Sequence, residues 1–213
     1  MMDRSRLRLY LVADPEHSDT PLVDAVESAL AGGVTAVQLR AKSLTDRGMI
    51  DLGRQMREIT ARHGALLIVN DRVDIALAIH ADGVHLGVTD LPPASARAIA
   101  PAGYLIGYSP NDAADMAGTE SADYYGIGPV FGTGSKADAG TALGLHAFAD
   151  RVQGSPVPVV GIGGIDASNA GGVIERGATG VAVISAILRA PDPQDAAGRL
   201  RAAIDRVDAT TGP

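Results

Sequence analysis

Short, nearly continuous apolar runs alternate along this chain with Ala-rich stretches whose apolar positions recur at helical spacing. The runs cover residues 7–13, 36–39, 66–69, 83–86, 104–106, 124–127, 157–160 and 181–184. They are too short for buried helices and lack polar alternation, the pattern of strands covered on both faces. Between them, Val23, Val26, Ala29 and Leu30 share one face of the first helical stretch. Ile50, Gly53, Met56, Arg57 and Ile59 follow the same spacing in the second, and Ala197, Leu200, Ala203, Ile204 and Val207 in the last. The joints Ala31-Gly32-Gly33-Val34, Ala81-Asp82-Gly83-Val84 and Gly177-Ala178-Thr179-Gly180-Val181 predict glycine caps where helix passes into strand.

Eight strands alternating with seven or eight helices predict parallel pairing, and about 27 residues per unit is close to the minimum for an α/β fold of the (β/α)8 TIM barrel type. A doubly wound sheet is the alternative. It would show fewer strands and a Gly-rich turn after the first, where this chain has Ala13-Asp14-Pro15-Glu16. No linker or low-complexity tract interrupts the pattern, so a single barrel domain over residues 1–213 is expected.

Composition then narrows the function classes. The 213 residues are 46% hydrophobic but only 3% aromatic, with no Trp and two Phe, so the core must be aliphatic. A net charge of −7 argues against a nucleic-acid or anionic-membrane binder, yet leaves room for an anionic small molecule held by a few local cations. Without cysteine there is no disulfide, thiolate nucleophile or Cys metal site. No apolar run approaches the ~18 residues of a membrane span, and the first is too short for a signal-peptide core. A cytoplasmic protein acting on small molecules is expected, its oligomeric state left open.

In a barrel the chemistry sits in the loops after the strands. After the second run, alternation in Gln38-Leu39-Arg40-Ala41-Lys42 brings Gln38, Arg40 and Lys42 to one side, a set suited to a polyanion; a solvated strand end is the plainer reading. After the third comes Asn70-Asp71-Arg72-Val73-Asp74, and after the fourth His85-Leu86-Gly87-Val88-Thr89-Asp90. Asp71 and Asp90 each read as a helix cap or turn residue. On neighbouring strands they also read as paired carboxylates for Mg²⁺, which shares its shell with substrate phosphates. Ser109, before Pro110, reads as a helix N-cap. The long Gly- and Ser-rich stretch after the sixth run carries one cation, Lys136, and reads as a lid rather than a P-loop. Gly161-Ile162-Gly163-Gly164 and Ile184-Ser185-Ala186 occupy the recurring phosphate position of barrels, or are simple turns. His85 reads as a satisfied core histidine rather than a catalyst, and no Ser/His/Asp arrangement is visible.

These loops together resemble the thiamine phosphate synthase family along nearly the whole chain. The matching phrases are Leu9-Tyr10-Leu11-Val12 with Asp14, Gln38 to Lys42, Asn70 to Asp74, Asp82 to Gly87 with Asp90, Ala122-Asp123-Tyr124, Gly128-Pro129-Val130-Phe131 with Thr133 and Lys136, Ile162-Gly163-Gly164-Ile165, and Val183 to Ile187. The resemblance implies a barrel that joins a hydroxymethylpyrimidine diphosphate to a thiazole phosphate, releasing diphosphate. It implies that Gln38, Leu39, Arg40, Ala41, Lys42, Asn70, Ser109 and Lys136 bind the pyrimidine diphosphate. Asp71 and Asp90 would hold Mg²⁺, and Thr133, Gly134, Ser135, Gly164, Ile184 and Ser185 the thiazole phosphate. Arg40, Lys42, Ser109 and Lys136 would form the catalytic set, with no protein nucleophile.

The chain departs from the family pattern at Val88, where Gln is usual, and at Gly132-Thr133-Gly134-Ser135-Lys136, where Pro-Thr-x-Thr-Lys is usual. A related thiazole tautomerase lacks the carboxylate pair and uses a histidine after the fifth strand; here both carboxylates are present and Ser109-Pro110-Asn111 has no histidine. A sugar-phosphate isomerase would need an acid/base pair across the mouth. A non-catalytic sensor of thiamine phosphate would bind without turnover.

Overall fold

The apolar runs become β1 (Leu9–Ala13), β2 (Ala36–Leu39), β3 (Leu66–Asn70), β4 (Gly83–Gly87), β5 (Leu105–Ser109), β6 (Tyr124–Ile127), β7 (Val159–Ile162) and β8 (Gly180–Val183). Each pairs in parallel with the next, and β8 closes on β1 to complete the expected (β/α)8 barrel. The structure, a computed structural model, describes residues 3–112, 114–116, 119, 121–134 and 140–211.

Outside the barrel lie α1 (Leu22–Ala31), α2 (Asp46–Arg62), α3 (Val73–Ala78), α4 (Pro93–Ile99), α5 (Gly144–Gln153), α6 (Ala170–Glu175), α7 (Ser185–Leu188) and α8 (Pro193–Thr211). The helical spacing translates directly into burial: Ala197, Leu200, Ala203, Ile204 and Val207 of α8 are all buried, and α8 packs on α1 and α6. Among the described residues no α-helix lies between β5 and β6, and none is long and apolar enough to cross a membrane.

Three boundaries differ from the apolar pattern for local reasons. Arg4–Leu7 form a 3-10 turn capped by Asp3, which accepts from the Ser5 N–H, so β1 starts at Leu9. Pro158 has no N–H to give a ladder, and β7 starts after it. The joint at Ala81-Asp82-Gly83 is not a glycine cap: α3 ends earlier, His80 takes the left-handed turn (φ 54°), and Gly83 opens β4.

Two aspartates fasten the end of the barrel opposite the β-to-α loops. Asp82 Oδ2 accepts from the Leu67 N–H (2.7 Å) and from Arg57 (2.8 Å). Asp123 Oδ2 repeats the device with the Ile106 N–H (2.8 Å) and Arg97 (2.6 Å). Each ties the start of one strand to a helix beside it, satisfying a buried backbone donor with a charged acceptor.

The barrel interior carries more polarity than an aliphatic core would suggest. Tyr10 and Tyr124 are fully buried inside, beside His85. They fit because Gly107 has no side chain: a Cβ there would sit 2.3 Å from Tyr124 Cζ and 2.4 Å from His85 Nδ1.

Candidate active site

Register decides which loop residues meet. Gln38 lies beside Val12 and Ile68, Asn70 beside His85, and Gly87 beside Ser109. The ends of β2 to β5 therefore present their last residues at one rim. There they line a cavity of about 550 Å³ with Arg40, Lys42, Asn70, Asp71, Asp90 and Ser109 on one side. Gly164, Ile184 and Ser185 face them from the loops after β7 and β8, and Thr133 comes from the loop after β6.

Asp71 is not a helix cap. It takes a left-handed backbone (φ 63°), and α3 begins beyond Arg72 without a side-chain cap. Its N–H donates to the His85 carbonyl at 2.8 Å, which ties the β3 loop to β4. Asp90 Oδ2 accepts from the Gly87 N–H at 2.7 Å and closes the turn after β4. The turn reading of Asp90 is thus correct and does not compete with the metal reading, since it brings Asp90 beside Asp71. Burial and the adjacent Asp90 carboxyl push Asp71 up to about 6, with Lys42 and Arg40 pulling the other way. Two carboxylates so close, with cations beside them, suit a divalent ion. Among the described residues no group of three His, Asp or Glu side chains gathers to hold a metal. Magnesium needs only one or two carboxylates when phosphates and water complete its shell, so the pair fits it.

The cations are placed differently from one another. Arg40 is largely buried and its Nη1 pairs with Asp14, itself only 1% exposed. Asp14 is held in turn by the Glu16 N–H at 3.0 Å. Lys42 is exposed, its Nζ 4.0 Å from Asp71 Oδ2. Arg40 is therefore a fixed fork and Lys42 a mobile point charge.

Most of the remaining expected residues divide between the cavity wall, the barrel interior and the helix side. Gln38 is buried inside the barrel, where its Nε2 donates to Tyr10 Oη at 2.9 Å. Leu39 packs outward toward Gly53 of α2, and Ala41 is buried; neither side chain lines the cavity. Ser109 is no N-cap: it ends β5 and its Oγ lies 2.8 Å from His85 Nε2. His85 is satisfied through both ring nitrogens, as expected of a core histidine, yet it also lines the cavity. Gly134 is exposed on its loop and does not line the cavity, while Ser135 and Lys136 lie outside the described residues. Val88 is exposed at the cavity edge.

Gly163 and Gly164 owe their identity to close approach. Both have left-handed backbones, at φ 98° and 63°. A Cβ on Gly163 would meet Pro129 Cα at 2.6 Å, and one on Gly164 the Gly132 carbonyl oxygen at 2.5 Å. The Val130 and Phe131 N–H groups donate to the Ile162 and Gly163 carbonyls, pinning the start of the β6 loop to the end of β7. What the sequence reading missed is Tyr10 and Tyr124. Both lie in phrases that match the family, and apart from that their signal is a polar hydroxyl within an apolar strand.

Closed parallel barrel, anion-ready mouth and paired carboxylates define a (β/α)8-barrel enzyme acting on phosphorylated small molecules. A family model described as thiamine monophosphate synthase matches residues 9–187. A thiamine-phosphate synthase from Moorella thermoacetica is 48% identical over 188 residues, covering 87% of this chain and 90% of the relative. One from Xanthobacter autotrophicus is 43% identical over 201 residues, 93% of this chain and 95% of the relative. The solved structure of thiamine phosphate pyrophosphorylase from Pyrococcus furiosus superposes with a TM-score of 0.87 at 40% identity, over 96% of this chain and 98% of that one. The chain belongs to the thiamine monophosphate synthase family and is an enzyme of the transferase class.

Proposed function

We propose that this rim condenses 4-amino-2-methyl-5-hydroxymethylpyrimidine diphosphate with thiazole phosphate, giving thiamine phosphate and diphosphate, through loss of diphosphate before the new bond forms. The observation that carries this reading is the meeting of Arg40, Lys42, Asp71 and Asp90 on one side of a cavity whose other side is Gly164, Ile184 and Ser185. One mouth thus offers two anion cradles, as a reaction between two phosphorylated substrates requires. A volume of about 550 Å³ suits two small molecules held together.

Asp71 and Asp90 would hold Mg²⁺, which supplies Lewis-acid neutralisation of the diphosphate. Arg40, kept in place by Asp14, forks onto the diphosphate, and Lys42 adds a movable charge. Lys136 is the β6 loop's cation and would act with them as the methylene C–O bond breaks. Charge developing on the leaving group is then met by groups already oriented. Asn70 and Ser109 bind the pyrimidine diphosphate from β3 and β5. Thr133, Gly164, Ile184 and Ser185 of the cavity wall hold the thiazole phosphate, and Gly134 and Ser135 would join them only from the β6 loop, so that its ring nitrogen waits about 3–3.5 Å from the methylene carbon. The aminopyrimidine ring carries the transient positive charge, so no protein nucleophile or base is needed.

The test mixes purified protein with both precursors, with and without Mg²⁺, and measures released diphosphate. Release that requires both Mg²⁺ and the thiazole phosphate is expected. Saturable binding of either precursor without release would refute the reading and favour a sensor.

A further inference from the structure

Beneath the cavity runs a chain of polar groups, buried at Gln38, Tyr10 and Tyr124 and half-buried at His85 and Ser109, that the transfer itself does not consume. Gln38 Nε2 donates to Tyr10 Oη at 2.9 Å, and Tyr10 Oη lies 2.9 Å from Tyr124 Oη. Tyr124 Oη is 3.2 Å from His85 Nδ1, and His85 Nε2 is 2.8 Å from Ser109 Oγ. The chain crosses the interior from β2 through β1, β6 and β4 to β5, so its two ends stand on strands that are not neighbours. Gly107 and Gly126 clear its path: a Cβ on Gly126 would lie 3.0 Å from Ser109 Oγ and 3.1 Å from His85 Cε1.

With His85 neutral, a count of protons assigns a direction to each link. Each tyrosine hydroxyl has one proton. Gln38 Nε2 can only donate, so Tyr124 Oη is the partner left to accept the Tyr10 proton. Tyr124 then gives its own to His85 Nδ1. A neutral His85 therefore carries hydrogen on Nε2 and donates it to Ser109 Oγ, and the Ser109 proton is left for a group in the cavity that Ser109 lines. Reversing one link alone would set two protons or two lone pairs against each other, most acutely at the buried tyrosines, so the five groups turn together.

We propose that this chain is a positioning relay: Gln38, acting through Tyr10, Tyr124 and His85, holds the Ser109 hydroxyl as a hydrogen-bond donor aimed at an acceptor atom of the pyrimidine diphosphate. Only the ligand's identity rests on the function proposed above; the polarity follows from the proton count along the chain. Ser109 then differs from the cations around it. Arg40 and Lys42 attract any anion, whereas a donor of fixed sense selects where along the substrate an acceptor must lie. The acceptor is a ring nitrogen or a diphosphate oxygen.

The direct test is the tautomer of His85, read by ¹⁵N-edited NMR of the full-length protein. Hydrogen on Nε2 is expected, both free and with the pyrimidine diphosphate bound; hydrogen on Nδ1 would overturn the proposal. Tyr124→Phe removes one link and keeps the ring. It should mix the two tautomers and raise KM for the pyrimidine diphosphate about tenfold, with kcat and the thiazole phosphate KM within about twofold of wild type. In a Ser109→Ala background the same substitution should change that KM less than about twofold. An equal rise in both backgrounds would make Tyr124 merely structural and overturn the relay. Should Tyr124→Phe fail to fold, Tyr10→Phe breaks the chain one link earlier and is expected to give the same readouts. Inorganic diphosphate and the unphosphorylated hydroxymethylpyrimidine, used as separate inhibitors, locate the acceptor: Ser109→Ala should weaken one of them, and weakening neither would overturn the proposal. If wild type releases no diphosphate, the functional reading and the named ligand fall, while the tautomer still upholds or overturns the relay.

Discussion

Asp71→Asn separates stability from activity. Asp71 is held at about 6 in the folded protein, against 3.8 for an unperturbed carboxyl, by burial and by the Asp90 carboxyl next to it. At 1.36 kcal/mol per pH unit that difference is about 3 kcal/mol, and solvent screening of a side chain 32% exposed reduces it to about 1 kcal/mol. The sign follows from the direction. A raised carboxyl binds its proton more tightly when folded, so this group costs nothing below pH about 4 and its full penalty above pH about 6. Asn keeps the shape, tolerates the left-handed backbone at φ 63° and removes the charge. The metal-free variant should therefore melt about 2–4 °C above wild type at pH 7.5, with the gap closing toward pH 4. The same substitution should cut Mg²⁺-dependent diphosphate release by more than about a hundredfold, since a negative ligand is lost. Thermal unfolding in chelator across that pH range reads the first effect and the diphosphate assay the second. A variant that melts lower than wild type at pH 7.5, or one that keeps its turnover, would refute the account of Asp71.

Other substitutions probe the parts around it. Gly107→Ala places a Cβ 2.3 Å from the Tyr124 ring and should cost about 1–3 kcal/mol in urea unfolding; wild-type stability would mean that the interior yields easily. Asp14→Asn should free Arg40 and raise KM for the pyrimidine diphosphate severalfold, about tenfold at most; an unchanged KM with a lower melting point would leave Asp14 purely structural. Lys136→Ala should lower kcat more than about tenfold, and a change confined to KM would limit Lys136 to binding.

The barrel was legible because its signals are local. Continuous apolar runs mark buried parallel strands, and seven of the eight end within two residues of the observed strands. The exception, at residues 104–106, continues through Gly107-Tyr108 to Ser109, where a glycine and polar groups break the apolarity. Its inward side faces the polar interior rather than a core, so the usual signature fails there. Most of the rim was legible for the same reason, since Asn70 and Ser109 end their strands and Arg40, Lys42, Asp71 and Asp90 follow within three residues of a strand end. Leu39 and Ala41 carry the opposite parity to Arg40 and so point away from the cavity, as alternation in an extended strand requires.

What alternation does not reveal is which inward side chains touch across the barrel. Tyr10 and Tyr124 are 114 positions apart, and their contact depends on the shear that sets eight strands into register. The same register brings Gln38 and Ser109, on non-adjacent strands, to the two ends of one hydrogen-bonded line. A core of aliphatic side chains would hold the barrel as firmly. It would leave Ser109 free to turn its hydroxyl either way, and the cations at the mouth cannot supply that orientation because they attract every acceptor alike. Buried hydroxyls need partners, and here each partner's need fixes the next. Interior polarity that is hard to justify as stability is thus explained by what it does at the rim. The glycines at 107 and 126 are its steric counterpart, since a Cβ would strike the chain at 107 and crowd it at 126.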